Sequence, residues 1–146
     1  MKKINSYLVL AGCLAILTGC TTLPKQPAIE HASIEPSILN PGDAAIITVT
    51  FQDQFDIISR VEGVVKEDTT ISFKLMDDGV DPDVEAGDNI WTMKVEVPFN
   101  APPGEFTFEA QALDSNHQVI VVHDKNGEAA PLQTSFALEI TYPESP

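Results

Sequence analysis

Between Leu75 and Trp91 the chain reads LMDDGVDPDVEAGDNIW. Six carboxylates, Asp77, Asp78, Asp81, Asp83, Glu85 and Asp88, surround two glycines and a proline. Calcium is bound by several carboxylate and carbonyl oxygens, so Asp77, Asp78, Asp81, Asp83 and Asp88 are candidate ligands for that ion. The spacing does not meet the helix-loop-helix calcium pattern. Counting from Asp81, the third acidic position is Glu85, and Ala86 stands where the glycine should follow. The same residues also suit a wide connection between two strands. Gly79 and Gly87 would then take positive φ, and aspartates would cap nearby amides; Asp78 and Asp88, each beside a glycine, are the expected structural acids. On that reading the acids form a solvated connection, with Leu75 and Trp91 as core residues at its two ends. A catalytic carboxylate pair fits poorly, because such acids normally face each other across a cleft from separate elements.

The second residue with evident chemistry is Cys20. The stretch MKKINSYLVLAGCLAILTGC has two lysines, an apolar run over residues 7–17 and small residues at a processing site. That order is a secretory leader, too short in its apolar part for a stable transmembrane span. Leu17-Thr18-Gly19-Cys20 resembles the lipobox of bacterial lipoproteins. The resemblance implies cleavage before Cys20, acylation of its thiol, and a membrane anchor of several acyl chains, which stable attachment requires. Thr21 resembles the outer-membrane default of enteric-type sorting, so the expected location is the bacterial cell envelope, at the outer membrane.

A 19-residue leader leaves 127 of the 146 residues, one domain's worth of chain. The expected organisation is a signal peptide over 1–19, a lipidated extended tether over 20–28, a sandwich domain over 29–142 and a tail over 143–146. Pro24 and Pro27 make the tether stiff and extended rather than helical. Cys13 leaves with the leader and Cys20 carries lipid, so neither a disulfide nor a thiolate nucleophile is expected. Losing Lys2 and Lys3 takes the formal charge from −14 to −16. Such a surface repels nucleic acid and anionic headgroups, and nucleic acid is not an expected partner.

The elements that must position the acidic stretch are strands. AAIITVTF, EFTFEAQA and TSFALEIT alternate apolar and polar residues. IWTMKVEV places Trp91, Met93, Val95 and Val97 on one face, and ISFKLM does the same with Ile71, Phe73 and Leu75. Period two with one polar face predicts half-buried strands. NPGD, NAPPGE, DSNH and DKNGEAAP supply turn chemistry between them. Seven or eight such strands at regular spacing predict an all-β antiparallel sandwich. The alternation also makes Trp91 a core residue rather than a stacking platform for sugar. His31, His117 and His123 fall in separate segments without metal-ligand spacing.

PSILNPGDAAIITVTF, DDG, AGDNIWTMKVEVP and PPGEFTFEAQALDSNHQ together resemble the immunoglobulin-like and fibronectin type III-like domains of bacterial surface proteins. A subset of those carries a DDG…AGDG loop before an aromatic strand; here Asn89 stands at the usual glycine and Trp91 at the usual tyrosine. The resemblance implies an immunoglobulin-like sandwich and a binding or scaffolding task, with no enzyme expected. GDNIWTMKVEVP…PGEFTFEA also faintly resembles starch-associated sandwich domains, which would make the chain a carbohydrate-binding module. The expected partners are the membrane, through Cys20, and an envelope protein or polysaccharide. No cofactor is expected, with calcium as the one candidate ion.

Overall fold

The computed structural model describes residues 25–143. Cys20, the expected leader over 1–19, the first part of the expected tether and residues 144–146 lie outside the described residues. All regular structure among the described residues is β. Ten strands follow in order: β1 (Ala28–Glu35), β2 (Ile38–Leu39), β3 (Ala44–Gln52), β4 (Arg60–Val65), β5 (Asp68–Leu75), β6 (Ile90–Glu96), β7 (Gly104–Leu113), β8 (Val121–His123), β9 (Ala129–Pro131) and β10 (Gln133–Ile140). They form a three-stranded sheet, β1-β3-β6, a five-stranded sheet, β2-β10-β7-β4-β5, and a small β8-β9 ribbon.

This wiring is immunoglobulin-like. β1, β3 and β6 take the places of strands A, B and E; β10, β7, β4 and β5 take those of G, F, C and C′. Pairing is antiparallel except at one place. β2 lies parallel to β10, with Glu139 opposite Ile38, because the chain leaves the first sheet after β1 and crosses to the other. Strand D, which would flank β6, has no counterpart among the described residues; the acidic stretch occupies that part of the chain.

The two sheets close over the side chains that the alternation points inward. Ile47, Val49 and Phe51 of β3 are buried, as are Phe108, Ala110 and Ala112 of β7 and Phe136, Leu138 and Ile140 of β10. Each large aliphatic or aromatic side chain so buried contributes about 1.5–3 kcal/mol. Phe73 and Phe108 meet at 5.4 Å between ring centroids, tilted by 51°, a favoured aromatic geometry.

Alternation fails where a sheet runs out of strands. Leu75 is fully buried, but Ile71 of the same strand is 51% exposed. Trp91, Met93 and Val95 point inward opposite Val49, Ile47 and Ala45, yet remain only half-buried. β6 is the last strand of its sheet, and among the described residues only Met76 pairs with its outer edge, so they are left partly uncovered. Trp91 is therefore packed against the core rather than enclosed by it.

The register sorts the connections into two ends. Ala28 lies opposite Gln52, Thr50 opposite Ile90, Arg60 opposite Leu113, and Val61 opposite Leu75. Segments 53–59, 76–89 and 114–132, with the entering residues 25–27, thus share one end. Segments 40–43, 66–67, 97–103 and 141–143 share the other.

Candidate functional site

The acidic connection begins where β5 crosses between sheets. Leu75 pairs with Val61 in the large sheet, and Met76 pairs with Thr92 of β6 in the small one, its N–H and C=O both bonded at 2.8 Å. Beyond that rung the backbone folds on its own carboxylates. Asp77 accepts the amides of Gly87 at 2.6 Å and Asp88 at 3.3 Å on Oδ1, and that of Asn89 at 3.0 Å on Oδ2. One side chain thereby ties the start of the connection to its end, eleven residues on. Asp83, only 5% exposed, accepts the amide of Gly79 and donates its own to Val80 O. Asp78 accepts Val80 N at 3.0 Å, and Asp88 accepts Ile90 N at 2.9 Å, the two-residue spacing of an Asx turn.

Two glycines and one asparagine carry the reversals. Gly79, Gly87 and Asn89 have φ of 70°, 76° and 66°. Asparagine is among the few non-glycine residues that enter this region readily, so Asn89 satisfies a left-handed position that glycine would also fill. Its carbonyl accepts Phe51 N at 3.0 Å, locking the end of the connection to β3.

The five candidate ligands separate into two groups. Asp77, Asp83 and Asp88 bring one oxygen each within 4.8 Å of the others. Asp78 is turned to its own Asx turn, and Asp81 lies toward Lys94. Lys94 is held charged above its ordinary range, first by its bond to Glu96 and also by the negative charge of Asp81. Asp78 and Asp88 do act as turn acids, but the principal structural acids are Asp77 and Asp83. Nor is the connection merely solvated, since Asp83 is sequestered beneath it. Spacing within the sequence could not reveal Asp77, whose partners lie ten to twelve residues ahead.

A cation at Asp77, Asp83 and Asp88 would share oxygens that already accept backbone amides. Those N–H dipoles supply the positive potential that clustered carboxylates need. The melting temperature is accordingly expected to be the same within about 1 °C in millimolar calcium and in chelator. A native-state ligand present at a hundred times its Kd would add about 2.7 kcal/mol and raise it by several degrees. A calcium-dependent rise of that size would assign the ion to this triad.

Other polar groups at this end are also structural. Asp53, 6% exposed, accepts Ile58 N at 2.7 Å and fixes the β3–β4 connection. Asp114 and Asp124 head two similar turns. Asp114 accepts the amides of Asn116 and Gln118 at 2.8 and 2.9 Å; Asp124 accepts those of Asn126 and Glu128 at the same distances. These backbone bonds, that to Gln118 foremost in one and to Glu128 in the other, hold both carboxyls below their ordinary range. His117 takes the left-handed position of the first turn, φ 61°, where the second has Gly127 at 83°. His31 lies in β1 and His123 in β8, so the three histidines stay on separate elements. His123 instead receives the entering chain: its amide donates to Gln26 Oε1 at 2.8 Å, and Gln26 Nε2 donates to its carbonyl at 3.3 Å.

No protein-family model matches the chain, and no curated protein matches its sequence. Among solved structures it is similar to the alkylpurine DNA glycosylase AlkC of Pseudomonas fluorescens, at 16% identity and a TM-score of 0.47, over 80% of this chain and 31% of that one. It is similar to the endo-β-1,4-mannanase of Thermotoga petrophila, at 9% identity and a TM-score of 0.46, over 86% and 22%. It is similar to the RIG-5 IG1 homodimer, at 13% identity and a TM-score of 0.46, over 81% and 100%. The chain spans less than a third of the first two proteins. These likenesses are to folds alone, and the immunoglobulin-like assignment rests on the strand order itself.

Proposed function

We propose that this chain is a lipid-anchored module of the bacterial cell envelope, held at the outer membrane through Cys20, with a non-enzymatic binding or scaffolding role. The observation that carries the reading is where the chain enters the domain. Pro27 is buried and Gln26 grips the backbone of His123, so the approach to β1 is fixed at the end that bears the acidic connection. Seven residues separate Cys20 from Ala28. Fully extended they span at most about 25 Å, at roughly 3.3–3.6 Å per residue. An acyl chain on Cys20 would therefore hold that end near the membrane and turn the opposite end outward. Multiple carboxylates at the near end would keep the domain off anionic headgroups, leaving the lipid as the means of attachment.

The carboxylates favour a binding module over a hydrolase, because Asp77 and Asp83 are engaged by backbone amides within one connection rather than aimed across a cleft. A glycan-binding role lacks a platform on β6: Trp91 points inward, and its Nε1 is buried without a partner. The more exposed aromatics are divided between the ends. Phe55 lies at the near end, whereas Phe99 covers Gly42 and Tyr142 donates its hydroxyl to Ala101 O at the far one.

Expression of the full chain and of Cys20→Ala in a bacterial host, followed by detergent phase partition, tests the anchor. The parent is expected in the detergent phase and the variant in the aqueous one. Identical partition of the two proteins would overturn the lipid anchor while leaving the fold untouched.

A further inference from the structure

β5 and β6 meet at the Met76–Thr92 rung and then diverge toward the end opposite the entering chain. The space between them is an apolar cleft of about 460 Å³, lined by Ile71, Phe73, Met93, Val95, Phe106 and Leu138 among others. Its volume lies within the roughly 300–1,000 Å³ of typical ligand sites. One wall is a free strand edge. Val97 turns its N–H and C=O to Asp43 and Gly42 on the β3 side, and Thr92 turns its own to Met76. Alternation along an antiparallel strand then directs the N–H and C=O of Lys94 and Glu96 outward, along the line begun by Met76. Among the described residues nothing pairs with that edge beyond Met76.

From this arrangement we infer that the cleft takes an extended segment of a partner protein, paired to β6 through Lys94 and Glu96, with alternate aliphatic side chains inserted beside Met93 and Val95. Main-chain pairing at a free edge supplies affinity, and the adjoining apolar pockets supply register. Charge selects the occupant. The chain carries a formal charge of −14, which opposes a second copy and favours a strand whose outward residues are basic. Lys94 and Glu96 already neutralise each other at 2.8 Å on the outer face, so the local edge does not repel such a strand. This rests on the binding-module reading but not on the lipid anchor.

The probe is an amidated decapeptide of alternating valine and lysine, added to the full chain in detergent, with a peptide of the same composition in block order as control. The alternating peptide is expected to bind and to slow amide exchange at Lys94 and Glu96 at least tenfold; the control is not. Lys94→Pro removes an outward donor without breaking a rung to β3, and Ile71→Lys places charge at an already exposed position of the cleft. Both are expected to melt as the parent does and to bind at least tenfold more weakly. Equal binding by parent and Lys94→Pro overturns the proposal. So does slow exchange at Lys94 and Glu96 before any peptide is added, or a dimer that Lys94→Pro dissociates. Failure here with Cys20-dependent partition retained would remove the strand site and leave the anchored module standing.

Discussion

Gly63→Ala is expected to destabilise the domain by about 3 kcal/mol or more, at the upper end of what overpacking costs. Gly63 lies in β4, between β5 and β7, with Phe73 opposite on one side and Ala110 on the other. A methyl group there would stand 1.9 Å from the backbone oxygen of Glu109 and 2.8 Å from Cζ of Phe73. The second contact could be relieved by turning a ring; the first is with a strand held on both sides, and relief requires β7 to move. β7 carries Phe108, Ala110 and Ala112 into the core and joins β4 to β10, so the displacement would spread through the large sheet.

Denaturant titration of Gly63→Ala checks this, and Phe73→Leu separates the two contacts. If the backbone contact dominates, Gly63→Ala stays destabilised when combined with Phe73→Leu. Recovery in the double variant would mean the ring was the obstacle, and a parental midpoint for Gly63→Ala alone would refute the argument. Gly87 offers a contrast: nothing lies within 4 Å of a Cβ there, so Gly87→Ala should cost only the roughly 1–2 kcal/mol of a left-handed residue at φ 76°.

The strands were legible where each has a neighbour on both sides. β3, β7 and β10 are such strands, and Ile47, Phe108 and Leu138 are buried as their alternation requires. The same alternation says nothing about how many strands a sheet contains. Ile71, Met93 and Val95 carry the pattern of core residues but line the cleft, because the chain runs through the acidic connection where a further strand could have covered β6. In the candidate site, Asp78 and Asp88 could be read from their neighbours, since an Asx turn is a two-residue interaction. Asp77 and Asp83 could not. Asp77 acts only because the ends of the connection meet, a closure set by the Met76–Thr92 rung rather than by local composition, whereas Asp83 bonds within the connection, to Gly79 and Val80, and is set apart by its burial. Asp53 is another such case: its bond to Ile58 N forms only once the β3–β4 connection is folded back.

Asp77→Ala is expected to cost about 2–3 kcal/mol, whereas Asp78→Ala should cost about 1 kcal/mol or less. Hydrogen bonds to a charged acceptor are worth roughly 1.5–3 kcal/mol each, but amides that reach water recover part of that. Asp78 holds the single amide of Val80 in an exposed turn. Asp77 holds three, from Gly87, Asp88 and Asn89, and through them keeps Asn89 where its carbonyl can receive Phe51 N. Truncation would release the second reversal of the connection and weaken the rung between Met76 and Thr92, the point at which the two sheets are joined along this flank. Amide exchange at Met76 and Thr92 should therefore accelerate in Asp77→Ala, while exchange along β7 follows only the global loss of stability. Asp77→Asn keeps the shape but turns an amide donor toward one of the backbone N–H groups, and should fall between parent and alanine variant. If a cation rather than these amides organised the connection, Asp77→Ala, Asp83→Ala and Asp88→Ala would destabilise alike, and only in calcium. On amide control Asp88, which accepts one exposed amide, should be nearly as tolerant as Asp78, and the order of the variants should be the same in chelator. Equal losses for Asp77→Ala and Asp78→Ala would show that the eleven-residue tie does not hold the connection closed.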